Sequence, residues 1–246
     1  MKEGKISAGS YELNKWLFGG YEKDIITTIY GPPGSGKTNL CLLVAVSQAK
    51  KGNRVIFIDT EGGFSTERLK QIAGNEIENI EKKILLLKPT SFKEQQEAFL
   101  ILQKEVKGKE HIGVIIIDGI TILYRLELAE AVKSRDESKI REINSYLANQ
   151  LRILAGIARK KNIPVIVTNQ VYTEFLSREE YGERKEKKVS MVGGDILRYW
   201  SKCIIELQNL PGGKKKAILQ KHRSLPKKEF LFVITQHGIA RARRFF

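Results

Sequence analysis

Apolar residues in this chain come in short unbroken runs, separated by longer stretches of helical periodicity. Ile25–Tyr30, Arg54–Asp59, Lys83–Lys88, Ile112–Asp118 and Ile163–Thr168 are dominated by Ile, Val, Leu and Phe, with no polar alternation. A strand of that texture is covered on both faces, as in a parallel sheet packed between helices. The first helical stretch runs to about Lys51, and Ser65–Ala73, Ser91 to about Lys107 and Arg125–Lys161 follow. The last of these carries a charged break near Lys133–Ser138. Strand and helix alternate, so the pattern predicts an α/β fold with a mainly parallel central sheet flanked by helices.

Beyond Thr168 the texture changes. Val171–Val192 is polar, charged and Gly-containing, too long for an ordinary connection between elements. Lys202–Leu207, Lys215–Lys221 and Glu229–Thr235 then follow across short turns, one of them Pro211-Gly212-Gly213. These predict an antiparallel C-terminal extension of the sheet. No repeat or clean linker interrupts residues 1–246, which are read as one domain.

With 41% apolar residues the chain can bury a substantial core, which excludes disorder and removes any need for disulfide staples. Cys41 and Cys203 each sit alone in apolar surroundings, as buried thiols of a reducing compartment do. His111, His222 and His237 are scattered rather than clustered. No apolar run approaches about 18 residues and Met1–Ser10 lacks a signal-peptide core, so a cytoplasmic protein away from membranes is expected. The net charge of +15 is uneven, because residues 171–246 hold 17 Lys/Arg against 8 Asp/Glu. Such a surface attracts polyanions by counterion release. On charge alone nucleic-acid contact is the favoured reading, with a Lys/Glu-rich solvated surface of the thermophile kind as the alternative.

The chemistry-bearing segment is Gly31-Pro32-Pro33-Gly34-Ser35-Gly36-Lys37-Thr38, followed by Asn39. Its glycines let backbone N–H groups wrap phosphate oxygens, Lys37 reaches the β- and γ-phosphates, and the Thr38 hydroxyl suits Mg²⁺. The helix that follows adds the positive end of its dipole. A nucleoside triphosphate is the expected ligand. Asp118 ends a very apolar run and is read either as the second Mg²⁺-organising carboxylate or as a helix cap. Asp59 and Glu61 end another run; Glu61, flanked by glycines, is the better base for a hydrolytic water, with capping again the alternative. Gln170 ends a third run, where it is placed to meet a γ-phosphate and relay its presence to the segment that follows.

In combination these segments resemble the RecA-like recombinase family, most of all its archaeal RadA group. The resemblance rests on Ile6–Ser10, Leu13 to Gly20, the Gly31–Thr38 loop, Ile58–Leu69, Ile116–Asp118 and Val167–Val171, and extends through Gly193-Gly194 to Phe232–Ile239. It implies a RecA-like P-loop ATPase core using ATP and Mg²⁺; no guanine-reading Asn-Lys-x-Asp element occurs. By resemblance Glu61 activates water, Lys37 and Gln170 meet the γ-phosphate, Thr38 and Asp118 hold Mg²⁺, and Arg68 stacks on adenine. Val171–Val192 corresponds to the second DNA loop, with Arg178, Arg184, Lys185, Lys187 and Lys188 as its cations and Tyr172, Phe175 and Tyr181 as rings. Glu179, Glu180, Glu183 and Glu186 fit a solvated loop instead. The first-loop region, Glu127–Glu142, mixes Lys133, Arg135, Lys139 and Arg141 with five acids and reads as a weak site. Lys221–Pro226 stands where the family caps a neighbouring subunit's ATP.

The chain begins directly at the core, without the family's helix-hairpin-helix domain, which suggests a core-only paralogue. The expectation is a regulator or accessory of recombination with weak ATPase activity. Its expected partners are single-stranded or branched DNA, recombinase or junction-processing proteins, and further copies of itself in a homodimer or higher oligomer. Two readings stay open beside it: an active strand-exchange recombinase, and a signalling ATPase that binds proteins rather than DNA.

Overall fold

A computed structural model describes residues 4–173, 189–191 and 193–242. The short strands β1 (Lys5–Ile6) and β2 (Tyr21–Glu22) pair antiparallel around α1 (Tyr11–Trp16). Next come β3 (Ile26–Gly31), α2 (Lys37–Ala49), β4 (Arg54–Asp59), α3 (Thr66–Ala73), α4 (Ile77–Glu81), β5 (Ile84–Leu87), α5 (Phe92–Glu105) and β6 (Ile112–Asp118). Two helices follow, α6 (Ile122–Lys133) and α7 (Glu137–Lys161), then β7 (Val165–Thr173), β8 (Val189–Met191) and α8 (Gly194–Trp200). The chain closes with β9 (Ser201–Asn209), β10 (Lys215–Lys221), β11 (Lys228–Thr235) and β12 (Gly238–Arg241).

Across the main sheet the order is β5-β4-β6-β7-β3-β9-β10-β11-β12. From β5 to β9 all neighbours are parallel, and β10, β11 and β12 continue antiparallel. The expected α/β architecture and its antiparallel extension are both present. The unbroken apolar runs have a simple cause. Val55 and Phe57 of β4 and Val114 and Ile116 of β6 face the α2 layer, while Ile56, Ile58, Ile115 and Ile117 face α5–α7. All eight are fully buried, so alternate residues enter two different cores and neither face turns polar.

Local chemistry sets the helix ends. Ser65 and Ser91 cap α3 and α5 by accepting from Arg68 N and Glu94 N, each at 3.1 Å. Asp136 caps α7 at Lys139 N (2.9 Å), and Asn162 ends it in the left-handed region. The charged break is thus a corner between two helices, as expected, although the helical region starts at Ile122 rather than Arg125.

Two boundaries need correction. The strand expected over Ile163–Thr168 runs from Val165 to Thr173, and Val171–Thr173 pair antiparallel with Val189–Met191. The segment read as one long polar connection therefore begins and ends as sheet. Periodicity stopped the strand at Thr168 because Asn169 is polar; in the fold it is fully buried and accepts a short hydrogen bond from the Thr121 hydroxyl. The elements α1, β1, β2, α8 and β12 were not anticipated, being too short for periodicity to register. Among the described residues no helix is long and apolar enough to cross a membrane.

The N-terminal segment is welded to α2. Gly9 has φ +82°, and a Cβ there would fall inside the contact radius of the Leu43 carbonyl oxygen. Gly52 has a similar φ (+78°) with nothing near a Cβ. Gly9→Ala is expected to cost about 3 kcal/mol, against about 1 kcal/mol of backbone strain for Gly52→Ala, measured by denaturant unfolding.

Candidate functional site

Parallel strands bring their C-terminal ends to one edge of a sheet, where α/β folds gather ligands. Here Gly31 pairs with Gln170 and Asp59 with Asp118, so residues far apart in sequence become neighbours. The Gly31–Thr38 segment leaves β3 at that edge and enters α2, with Gly36 at φ +98° as its N-cap. The Lys37 side chain folds back over the loop, donating to Gly31 O (3.1 Å) and Pro32 O (3.2 Å). Burial pushes the Lys37 pKa down, and the carboxylates of Glu61 and Asp118 push it back up.

Asp118 is the node of the site. It is fully buried, with Oδ2 accepting from the Thr38 hydroxyl and Oδ1 from the Thr168 hydroxyl, both at 2.6 Å. Thr168 also receives Gly119 N at 2.7 Å, and the Thr60 hydroxyl donates to Asp118 O at 2.9 Å. Burial raises the Asp118 pKa to about 6; the two threonine hydroxyls oppose the rise, while Glu61 and Asp59 add to it. Asp118 caps no helix.

Asp59 and Glu61, alike on paper, separate in space. Asp59 accepts from Gly63 N (3.2 Å) and Phe64 N (2.9 Å), closing the turn after β4. Glu61 reaches the cleft, where its Oε2 accepts from Gln170 Nε2 at 3.3 Å. Its Oε1 is buried and has no hydrogen-bond partner among the described residues. Lys37, Thr38, Glu61 and Gln170 share a cleft of about 300 Å³ with Pro33, Gly34, Gly36, Asn39 and Ile234. Ile234, on β11 within the Phe232–Ile239 stretch, packs close to the Gly36 Cα region, a place that the sequence reading did not assign to it.

Arg68 sits beside this cleft. Its Nε donates to Asn39 Oδ1 (2.9 Å), Nη1 to Gln71 Oε1 and Gln236 O (both 2.8 Å), and Nη2 to Gly238 O (3.2 Å). These bonds occupy the edges of the guanidinium and fix its plane, and edge bonding is compatible with stacking on its faces.

Other expected positions fall elsewhere. Arg178, Arg184, Lys185, Lys187 and Lys188, with Phe175 and Tyr181, lie outside the described residues. Around the α6–α7 corner Lys139 pairs with Glu127 (2.8 Å) and Arg141 with Glu137 (3.4 Å), which blunts its charge. In the 221–226 segment Arg223 forks onto Asp24 (2.8 and 3.1 Å) and reaches Glu22 (2.9 Å) of its own chain. Sequence reasoning missed Thr60 and Thr168, whose only signal was a hydroxyl at the end of an apolar run.

Comparison with known proteins adds an independent line. A family model described as Rad51 matches residues 3–242. The DNA repair and recombination protein RadB of Methanobrevibacter smithii is 39% identical over 230 residues, covering 92% of each chain. Its counterpart from Methanocaldococcus jannaschii is 40% identical over 228 residues, 92% of this chain and 98% of that one. Among solved structures, one titled crystal structure of the RadB recombinase superposes with a TM-score of 0.76 at 36% identity, covering 97% of this chain and all of that one.

The raised pKa of Asp118 makes stability depend on pH. The folded protein holds this proton more tightly than the unfolded chain, so the stabilisation is complete below the ordinary value of 3.8 and is lost as pH rises to about 6. The loss corresponds to about 3 kcal/mol. Asp118→Asn, measured by thermal unfolding with chelator between about pH 4 and pH 7, is expected to remove that component of the slope.

Proposed function

The chain belongs to the Rad51 family, grouping with its archaeal RadB proteins, and we propose that it is an ATP- and DNA-binding regulator of DNA repair by homologous recombination. In this reading residues 1–246 act as one ATPase core with slow, Mg²⁺-dependent hydrolysis and little strand exchange. The backbone N–H groups of Gly31–Thr38 and the Lys37 ammonium would hold the triphosphate, with Asn39 and Arg68 toward the base. Thr38 and Asp118 would hold Mg²⁺: a hydroxyl and a carboxylate already hydrogen-bonded to each other are hard oxygen donors of the kind that ion takes alongside phosphates. When bound, the cation neutralises phosphate charge.

The observation that carries the proposal is the hydrogen bond between Gln170 and Glu61 at the mouth of the cleft. Glu61 is the general base of the proposal, taking the proton of the attacking water. The Gln170 amide occupies the Oε2 atom of that carboxylate, which supports slow turnover until the amide moves away. Gln170 lies within β7, three residues before the end of the described strand at Thr173. Movement of its amide from Glu61 toward a γ-phosphate would therefore pull on the base of the 171–192 segment. Nucleotide would in this way tune the DNA contacts assigned to Arg178, Arg184, Lys185, Lys187 and Lys188.

Three variants test the coupling. Lys37→Ala is expected to abolish ATP binding and with it any ATP effect on single-stranded DNA affinity. Glu61→Gln should retain ATP while hydrolysis falls about 100-fold or more. Gln170→Ala should keep ATP affinity within a few-fold yet leave DNA affinity blind to nucleotide. DNA affinity that is the same without nucleotide, with ATP–Mg²⁺ and in Lys37→Ala would defeat the proposal.

A further inference from the structure

The end of β9 overhangs the glycine-rich loop. β9 runs parallel to β3, and a Cβ on Gly31 would collide with the Leu207 carbonyl oxygen. Two residues further on, Asn209 and Lys215 face each other as the last pair of the β9–β10 ladder. Both side chains reach the loop. Asn209 Nδ2 donates to Pro33 O (3.1 Å) and Lys215 Nζ to Gly34 O (2.7 Å). Lys215 Nζ also donates to Asn209 Oδ1 (2.8 Å), which orients the amide with its oxygen toward Lys215 and its nitrogen toward Pro33.

A peptide unit is planar and trans, so holding its carbonyl fixes the N–H on its far side. Asn209 and Lys215 are not among the residues lining the cleft, and the carbonyls they hold face away from it. The Gly34 N–H is therefore turned the other way, and among the described residues it has no hydrogen-bond partner. The Ser35 N–H, opposite Gly34 O, closes the turn onto Pro32 O (3.2 Å). Gly34 has φ +70° with nothing near a Cβ, so no neighbour wedges it into that conformation. The outer hydrogen bonds hold it. On the inner side Lys37 grips Gly31 O and Pro32 O, bonds that compete with a phosphate for the same ammonium.

We propose that Lys215 and Asn209 are positioning residues for the nucleotide. From outside the cleft they keep the Gly34 N–H aimed at phosphate while Lys37 changes partners. This role presupposes the nucleotide reading of the Gly31–Thr38 loop proposed above. It needs no contact between Lys215 and the ligand: the donors are oriented before the ligand arrives. Loop N–H groups cradle phosphates that ADP and ATP share, so losing the outer hold should weaken both equally. A charge acting through space would instead cost ATP more than ADP, and the difference would fade with salt.

The test is titration of the full chain with fluorescently labelled ADP–Mg²⁺ and ATP–Mg²⁺. Lys215→Ala should weaken each about tenfold, and Lys215→Arg, which keeps charged donors, should stay within about threefold of wild type. Asn209→Ala should fall alike, and the double variant no further than the weaker single one, because each residue holds the other in place. The melting temperature of the free protein should move by no more than about 2 °C, since these bonds lie at the surface. In amide NMR spectra of the free protein, Lys215→Ala should shift the Gly34 resonance and leave those of β4 and β6 in place. Unchanged nucleotide affinity in Lys215→Ala, with binding abolished in Lys37→Ala, would overturn the positioning role and leave the proposed function standing. A loss larger for ATP than for ADP that disappears at about 0.5 M salt would overturn it in favour of a simple surface charge. Nucleotide bound by no form of the chain would defeat the proposed function and the positioning role with it.

Discussion

A buried carboxylate held between two threonine hydroxyls governs this edge of the molecule. Asp118 belongs to β6, Thr168 to β7 and Thr38 to α2, so a single side chain joins two strands and the helix leaving the glycine-rich loop. Burying that group without partners would cost several kcal/mol, and the hydroxyls reduce the cost without abolishing it. The residual strain appears as a proton affinity well above the carboxylate norm. An oxygen set that is uncomfortable as an anion is primed for a cation, and here stability and proposed chemistry draw on the same atoms.

Around that node the strand register distributes roles. Asp59 and Glu61 differ by two positions, yet one is spent on backbone amides while the other keeps an unpartnered oxygen in the cleft. Gln170 is opposite Gly31 in the ladder, which places its amide within reach of Glu61 although 109 residues separate them in sequence. The relay attributed to this pair thus depends on backbone pairing more than on any flexible element.

The sheet was legible in the sequence because its strands are buried on both faces and therefore unbroken in hydrophobicity; Ile112–Asp118 agrees to the residue. The glycine-rich loop was legible because phosphate chemistry demands a rare spacing. What escaped notice shares a different character. Thr60, Thr168 and Asn169 are polar groups satisfied by partners 48 to 59 residues away, and no local pattern announces such a bond. Arg223, in the segment expected to cap a neighbouring subunit's ATP, is taken by Glu22 and Asp24 of its own chain because the fold returns β2 beside the β10–β11 connection.

The strand order carries a consequence for synthesis. β3, an early segment, is flanked in the finished sheet by β7 and β9, which are made more than a hundred residues later. A nascent chain must therefore hold β3 with both hydrogen-bonding edges unpaired until the last third has left the ribosome. The glycine-rich loop hangs from that strand. Its place in the fold is set only once β7 and β9 have paired with that strand, when translation is nearly complete.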